Sequence, residues 1–402
     1  MDTRNLLITL SGLDRPGVTR GLFTRLDPAA IVLDIEQLVV RDRLVLAVLI
    51  EIEPSALAAT IATVESFAHE LELDFSIDPD TAETVARKVD RIQITLLGAP
   101  LRSTAVRRVA EELTLRGANV DRIRRIARYP VTALMLDVSG APAADLRRAL
   151  AAAAIETGVD IAVQEAGLDR RGQHLVVMDV DSTVIQDEVI DLLAEEAGVL
   201  AEVAGITERA MAGELDFTAS LRERVALLAG LPETAIARVQ QRISLTPGAR
   251  TLCRTLNTLG YRVCLVSGGF VEVIAPLAEQ LGVDRVRANS LEVRDGLLTG
   301  RVQGPIVDRL GKRRALEEFA AEFAIPMRRT IAIGDGANDI DMLEAAGLGV
   351  AFNAKAAARD AADTSVNVPY LDSVLYLLGI AREDIEVADE QAGITTPAPP
   401  LD

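Results

Sequence analysis

The run Asp179-Val180-Asp181-Ser182-Thr183 directly follows the apolar segment Leu175–Met178, so two carboxylates at i and i+2 stand where a buried strand would end. Gly334-Asp335-Gly336-Ala337-Asn338-Asp339 repeats the arrangement behind the apolar residues 330–333. If the two strands are neighbours, their carboxylates and an amide meet on one edge. An oxygen-rich set of this kind suits Mg²⁺, a hard cation that shares ligands with a phosphate. An aspartate after a strand is also an ordinary turn or cap residue; two such places, each with several acids, favour the metal. Ser267-Gly268-Gly269-Phe270 sets a hydroxyl and glycine-exposed backbone N–H groups between a strand-like segment and a helix, an anion cradle. Lys312, one of three lysines in the chain, begins the helical stretch after Asp308 and by itself reads as a solvated surface lysine.

The elements that must hold these residues are legible as pattern. Residues 174–180, 261–267, 329–335 and 347–352 read as buried parallel strands with helical segments between them. Strand alternating with helix predicts a doubly wound, mostly parallel α/β sheet whose ligand crevice lies beyond the carboxyl ends of the strands. Asp295-Gly296 is a hairpin turn signal. Residues 187–255 hold amphipathic helices and no strand pattern, which predicts a small helical cap inserted between the first two sites. Residues 386–402 are acidic at first and end in TTPAPPLD, and read as a disordered tail.

Ahead of this core, residues 4–77 follow the order β-α-β-β-α-β, the ferredoxin-like arrangement, and residues 91–166 follow it again. Two copies predict a duplicated small domain rather than a solenoid. The resulting division is 1–85, 86–170 and 171–385, followed by the tail. Arg122–Arg128 alternates with Ile123 and Ile126 and reads as a solvated strand face.

The chain has 402 residues and a formal charge of −18, a field that repels nucleic acid and anionic lipid. Its apolar runs are far shorter than the roughly 18 residues of a membrane span, and the N-terminus lacks the pattern of a secretion signal. Two cysteines, Cys253 and Cys264, give no disulfide framework and suit a reducing cytoplasm. His69 and His174 form no metal spacing.

In their order along the chain, DVDST, SGG, Lys312 and GDGANDIDM resemble the four motifs of the haloacid dehalogenase superfamily. DVDSTVIQDEVIDLLAEEAGV, MAGELDFTASLRERVALLAGL, LTPGA, VSGGF and GDGANDIDML resemble the phosphoserine phosphatase family more closely, over roughly residues 174–380. The resemblance implies a Mg²⁺-dependent enzyme, Asp179 as nucleophile and Asp181 as acid and base. It places the metal on the Asp179 carboxylate, the Asp181 carbonyl and Asp335, with Asp339 behind them. Ser267, Gly268, Lys312 and Asn338 would face the phosphoryl group; Glu188 and Arg224, rather than the adjacent Arg222, would face an amino acid's ammonium and carboxylate. Met211 and Phe217 would form apolar cap walls. The implied substrate is O-phospho-L-serine, with L-serine formed as the last step of its biosynthesis.

The two N-terminal copies resemble ACT domains, amino-acid-binding regulatory modules, and the whole arrangement resembles the long mycobacterial type of the family. The first copy carries Gly12, Asp14 and Gly17 in the ligand-loop pattern, implying an L-serine effector and a homodimer. The second, with Gly98-Ala99-Pro100 there, lacks the acidic residue. Two rivals stay open: a phosphatase or phosphotransferase for another phosphorylated metabolite, and an amino-acid sensor with a vestigial core.

Overall fold

The structure, a computed structural model, describes residues 3–79, 90–167, 170, 172 and 174–395, apart from the side chain of Met211. The chain forms two compact units, Met1–Lys88 and Val89–Asp402.

The first unit runs β1 (Arg4–Leu13), α1 (Val18–Arg25), β2 (Ile31–Val40), β3 (Arg43–Ile52), α2 (Leu57–Glu70) and β4 (Asp74–Pro79). Its antiparallel sheet has the order β2-β3-β1-β4. Alternation fixes the face: Leu6, Ile8 and Leu10 of β1 and Leu44, Leu46, Val48 and Ile50 of β3 are buried with Val18, Leu22, Val64 and Phe67 of the helices. The intervening residues of both strands are half-buried or exposed. Gly17 has φ 99°, left-handed backbone that glycine adopts without a Cβ penalty, and starts α1.

The second unit opens with the same order: β5 (Ile92–Gly98), α3 (Ser103–Leu115), β6 (Asn119–Ala127), β7 (Thr132–Ser139), α4 (Ala143–Thr157) and β8 (Asp160–Glu165), paired β6-β7-β5-β8. Here both faces of β5, β7 and β8 are largely buried. One face packs on α3 and α4. Leu97, Ile126, Ala127, Ala133, Met135 and Ala162 of the other face share a core with the α/β domain that follows.

That domain contains β9 (Leu175–Met178), α5 (Val189–Ala197), α6 (Leu200–Met211), α7 (Phe217–Ala226), α8 (Thr234–Arg242), α9 (Ala249–Thr258), β10 (Arg262–Phe270), α10 (Val271–Leu281), β11 (Arg285–Arg294) and β12 (Leu297–Gln303). It continues through α11 (Arg309–Glu322), β13 (Thr330–Gly334), α12 (Ile340–Ala345), β14 (Leu348–Phe352), α13 (Ala356–Ala361), β15 (Thr364–Val366), α14 (Val374–Leu377) and α15 (Arg382–Gln391). The sheet order is β12-β11-β10-β9-β13-β14-β15, parallel except for the β11–β12 hairpin. Asp295 (φ 53°) and Gly296 (φ 75°) make the hairpin's left-handed turn. Successive residues of β9 enter opposite cores, Val176 and Met178 one and Leu175 and Val177 the other, as a strand buried on both faces requires.

The helical insertion has a narrow neck: Ile185 bridges Leu245, and Gln186 N–H donates to the Ser244 carbonyl. The insertion thus closes before α9, whose Leu252, Cys253 and Leu256 are buried in the main core.

Residues 386–391, expected to belong to a disordered tail, are instead helical within α15. The reason is tertiary: Ile385 is buried, and Asp389, 3% exposed, accepts two 2.7 Å hydrogen bonds from Arg254 Nε and Nη2. Residues 396–402 of that tail lie outside the described residues.

Candidate active site

β9 and β13 are hydrogen-bonded neighbours with Met178 opposite Ile333, so both acidic runs leave the sheet at the same edge. The Asp179 N–H donates to the Ile333 carbonyl at 2.9 Å. β10 lies on the other flank of β9 with Leu265 opposite Met178, which brings Ser267 to that edge as well. Register alone therefore gathers residues separated by more than 150 positions.

Carboxylate oxygens of Asp179, Asp335 and Asp339 lie within 4.8 Å of one another. Lys312, 1% exposed near the start of α11, inserts its Nζ 2.7 Å from Asp179 Oδ2 and 2.6 Å from Asp339 Oδ1. The Asp308 carboxylate caps α11 by accepting from Gly311 N–H, which fixes the helix end that carries Lys312. Asp339 is committed on both oxygens, since Oδ2 accepts from Gly336 N–H at 3.0 Å. A Cβ on Gly334 would lie 2.4 Å from Asp339 Cγ, so only glycine lets this carboxylate lie across the strand end. Thr183, fully buried, places its hydroxyl 3.5 Å from Asp335 Oδ1.

Asp181 is placed differently. Its Oδ1 accepts from Val189 N–H at 2.9 Å and its Oδ2 from the Ser267 hydroxyl at 3.2 Å, while Ser267 Oγ accepts from Gly269 N–H at 2.7 Å. Ser182, with φ 56°, turns the chain between Asp181 and Thr183 and donates its hydroxyl to Glu188 at 2.8 Å. Arg224 of α7 is half-buried, and the charges of Asp191, Glu188 and Asp181 act on it; Arg222 is exposed. Phe217 stands against the Ser267–Phe270 loop, its ring 3.0 Å from where a Gly268 Cβ would be. The side chain of Met211 lies outside the described residues. Asn338 is half-buried in the turn between Asp335 and Asp339. In the first unit, Gly12 is buried in β1, and Asp14 is exposed, with its N–H donating to Asp42.

Burial sets the electrostatics. It raises Asp179 well above the usual carboxylate value, the Asp339 charge adds to this, and Lys312 opposes it. Burial followed by the Glu188 charge pushes Asp181 up to about 7. Asp335 rises to about 6 through burial and then Asp339. Burial pulls Lys312 down, but Asp179 and Asp339 outweigh it and hold its ammonium above the usual value. Fully ionised, the three clustered carboxylates exceed the one ammonium by two negative charges. An all-oxygen donor set with that excess fits a hard divalent cation.

Sequence reading assigned no role to Asn289, and it ties the Gly268 loop to the chain at Val307. Only 1% exposed on β11, its Nδ2 donates to the Gly268 carbonyl and its Oδ1 accepts from Val307 N–H, both at 2.8 Å. No local pattern marks it, because an asparagine in a strand is equally a surface residue.

An open parallel sheet with acidic runs, a serine–glycine loop and a buried lysine at one edge defines a haloacid dehalogenase-like hydrolase, and residues 176–344 match that family. Residues 4–78 and 92–164 each match ACT domains. The chain is 55% identical over 393 residues to the phosphoserine phosphatase of Streptomyces coelicolor, covering 97% of this chain and 96% of that one. It is 49% identical over 390 residues to the phosphoserine phosphatase of Mycobacterium tuberculosis, covering 96% and 95%. The crystal structure of a probable phosphoserine phosphatase from Vibrio cholerae superposes with a TM-score of 0.58 at 34% identity, over 76% of this chain and 90% of that one. The chain belongs to the phosphoserine phosphatase family, in the form that carries two ACT domains.

Proposed function

We propose that the chain hydrolyses O-phospho-L-serine to L-serine and phosphate through an aspartyl-phosphate on Asp179. The observation that carries this is the convergence of Asp179, Asp335, Asp339 and Lys312 at one buried strand edge, with Asp181 and Ser267 hydrogen-bonded beside them. Phosphate monoesters hydrolyse extremely slowly in water, and a covalent intermediate divides the barrier. An Asp179 oxygen bonds to phosphorus as the bond to the serine oxygen breaks. Asp181 gives that oxygen its proton, so serine leaves as an alcohol rather than an alkoxide. Water then attacks phosphorus, Asp181 takes its proton, and phosphate departs with Asp179 restored. A group pushed to about 7 serves both steps near neutrality.

Mg²⁺ would be held by the Asp179 carboxylate, the Asp181 carbonyl and Asp335, with Asp339 behind them orienting Lys312. When bound, the cation supplies charge neutralisation at the phosphoryl oxygens. Lys312, Ser267, Gly268 N–H and Asn338 hold those oxygens. Glu188 faces the substrate ammonium, and Arg224 binds its carboxylate as a planar fork. Gly12, Asp14 and Gly17 form an L-serine site that regulates the enzyme, the chain works as a cytoplasmic homodimer, and neither nucleic acid nor membrane is a partner. Among the described residues, no helix is long and apolar enough to cross a membrane.

Steady-state rates on O-phospho-L-serine, other phospho-amino acids and sugar phosphates test the substrate; equal efficiency on all of them defeats it. Asp179→Asn should lower kcat by at least a thousandfold with an unchanged melting curve, and a chelator should abolish turnover until Mg²⁺ is returned. Calorimetry of the full chain with L-serine should give a binding heat that Asp14→Ala reduces.

A further inference from the structure

A cavity of about 250 Å³ lies within the second unit where the ACT-like module meets the hydrolase domain. It sits at the opposite end of the strands from the catalytic edge, lined by the entrances of β13 and β14 at Thr330 and Leu348. Its charged lining is Arg147 from α4, Glu165 at the end of β8, Arg170, His174, Arg328 and Asp363. In a chain of net charge −18, this is a concentration of cationic groups.

The donors are disposed for an oxyanion. Arg147 spends Nη2 on the Val163 carbonyl at 3.1 Å, but its buried Nε has no hydrogen-bond partner, and a buried charged donor in that state is costly. Arg170 is anchored by Nη2 to the Leu377 carbonyl at 2.8 Å, and burial pulls its pKa down against the opposing charges of Tyr261 and Asp137. Asp363, whose Oδ2 accepts from Gly349 N–H, and Glu165 set two carboxylates against the three guanidinium groups of Arg147, Arg170 and Arg328. Arg328 and Glu165 are exposed and stand at the mouth. Its volume leaves room for a small metabolite.

We propose that this junction cavity is a binding site for a small molecule bearing a carboxylate or phosphate group, held by Arg147 and Arg170 and gated electrostatically by Arg328. Such a ligand bridges module and catalytic domain, and so stabilises their docked arrangement. The site stands independently of the catalytic assignment, since it shares no residue with it.

The test is hydrogen–deuterium exchange of the full chain with inorganic phosphate and, separately, with succinate. At least one probe should slow exchange in residues 143–150 and 326–331; protection by phosphate alone or succinate alone identifies the anion class. In an Arg147→Gln/Arg170→Gln variant that protection should need at least tenfold more probe, while phosphate protection at 179–183 is unchanged. Absence of protection with both probes, or the same midpoint in the variant, overturns the proposal. Should the double variant melt early, Arg328→Gln at the exposed mouth replaces it: a midpoint raised at least threefold supports the site, and an unmoved one rejects it.

Discussion

The two ACT-like modules have the same strand order and nearly the same register, yet one stands as a unit and the other is built into the enzyme's body. With Gly12 aligned on Gly98, Leu6, Ile8 and Leu10 of β1 correspond to Ile92, Ile94 and Leu96 of β5, all buried against helices. The opposite face separates them. Ser11 in β1 corresponds to Leu97 in β5; Ser11 is half-buried, whereas Leu97 is 1% exposed within the hydrolase core. Asp74 starts β4 opposite Ser11, and Asp160 starts β8 opposite Leu97. Asp74 is exposed; Asp160 is 6% exposed and accepts from Asn367 N–H at 2.8 Å and from its Nδ2 at 2.6 Å. The lesson is that the outward positions of the strands, not the strand order, make the second module part of the larger core.

This comparison breaks most openly by deletion. A chain lacking residues 90–167 should lose its cooperative melting transition and aggregate, because Ile126, Ala133 and Met135 leave their core partners bare and the edge of β15 is uncovered. A chain lacking residues 1–88 should keep a cooperative melt; circular dichroism with size-exclusion chromatography decides both. Less drastically, Leu97→Ala should cost about 2–5 kcal/mol by cavity formation, read as a lowered urea midpoint. Leu38→Ala on β2, at a residue 57% exposed, should stay within about 0.5 kcal/mol.

The paired aspartates sharpen it further. Asp160→Ala removes the acceptor for two Asn367 donors and should cost about 2 kcal/mol, while Asp74→Ala should be neutral within about 0.5 kcal/mol. The last effect is one of pH. Burial pushes Asp160 up to about 6, so the folded chain holds that proton more tightly than the unfolded chain does. The resulting stabilisation is full below about pH 4 and is lost as pH rises through about 6. Relative to Asp160→Asn, the unaltered chain should therefore lose on the order of 1–2 kcal/mol between pH 4 and 7; parallel melting curves for the two proteins across that range would contradict it.

Much of the candidate site was legible because its signals are local. An apolar run followed by acids marks a buried strand's exit, and it does so at both Met178–Asp179 and Ile333–Asp335. Lys312 was not legible by itself: a helical lysine reads as surface, and only the packing of α11 turns it between two carboxylates. Asn289 carried no signal for the same reason. β15, only Thr364–Val366, was too short to show a period, and its strand character comes from pairing with β14.

What the chain's order of residues determined by itself was periodicity: which segments are strands and helices, that the α/βαβ arrangement is preceded by a duplicated module, and that carboxylates stand at strand ends. These follow from side-chain alternation and backbone preferences within a few residues. What only the tertiary structure decided was partnership. The outer face of β5, the acidic helix α15 clamped by Arg254 through Asp389, and the burial that lifts Asp181 all depend on groups far away in the chain. Desolvation and hydrogen bonding act between surfaces brought into contact, and no local pattern encodes which surfaces those will be.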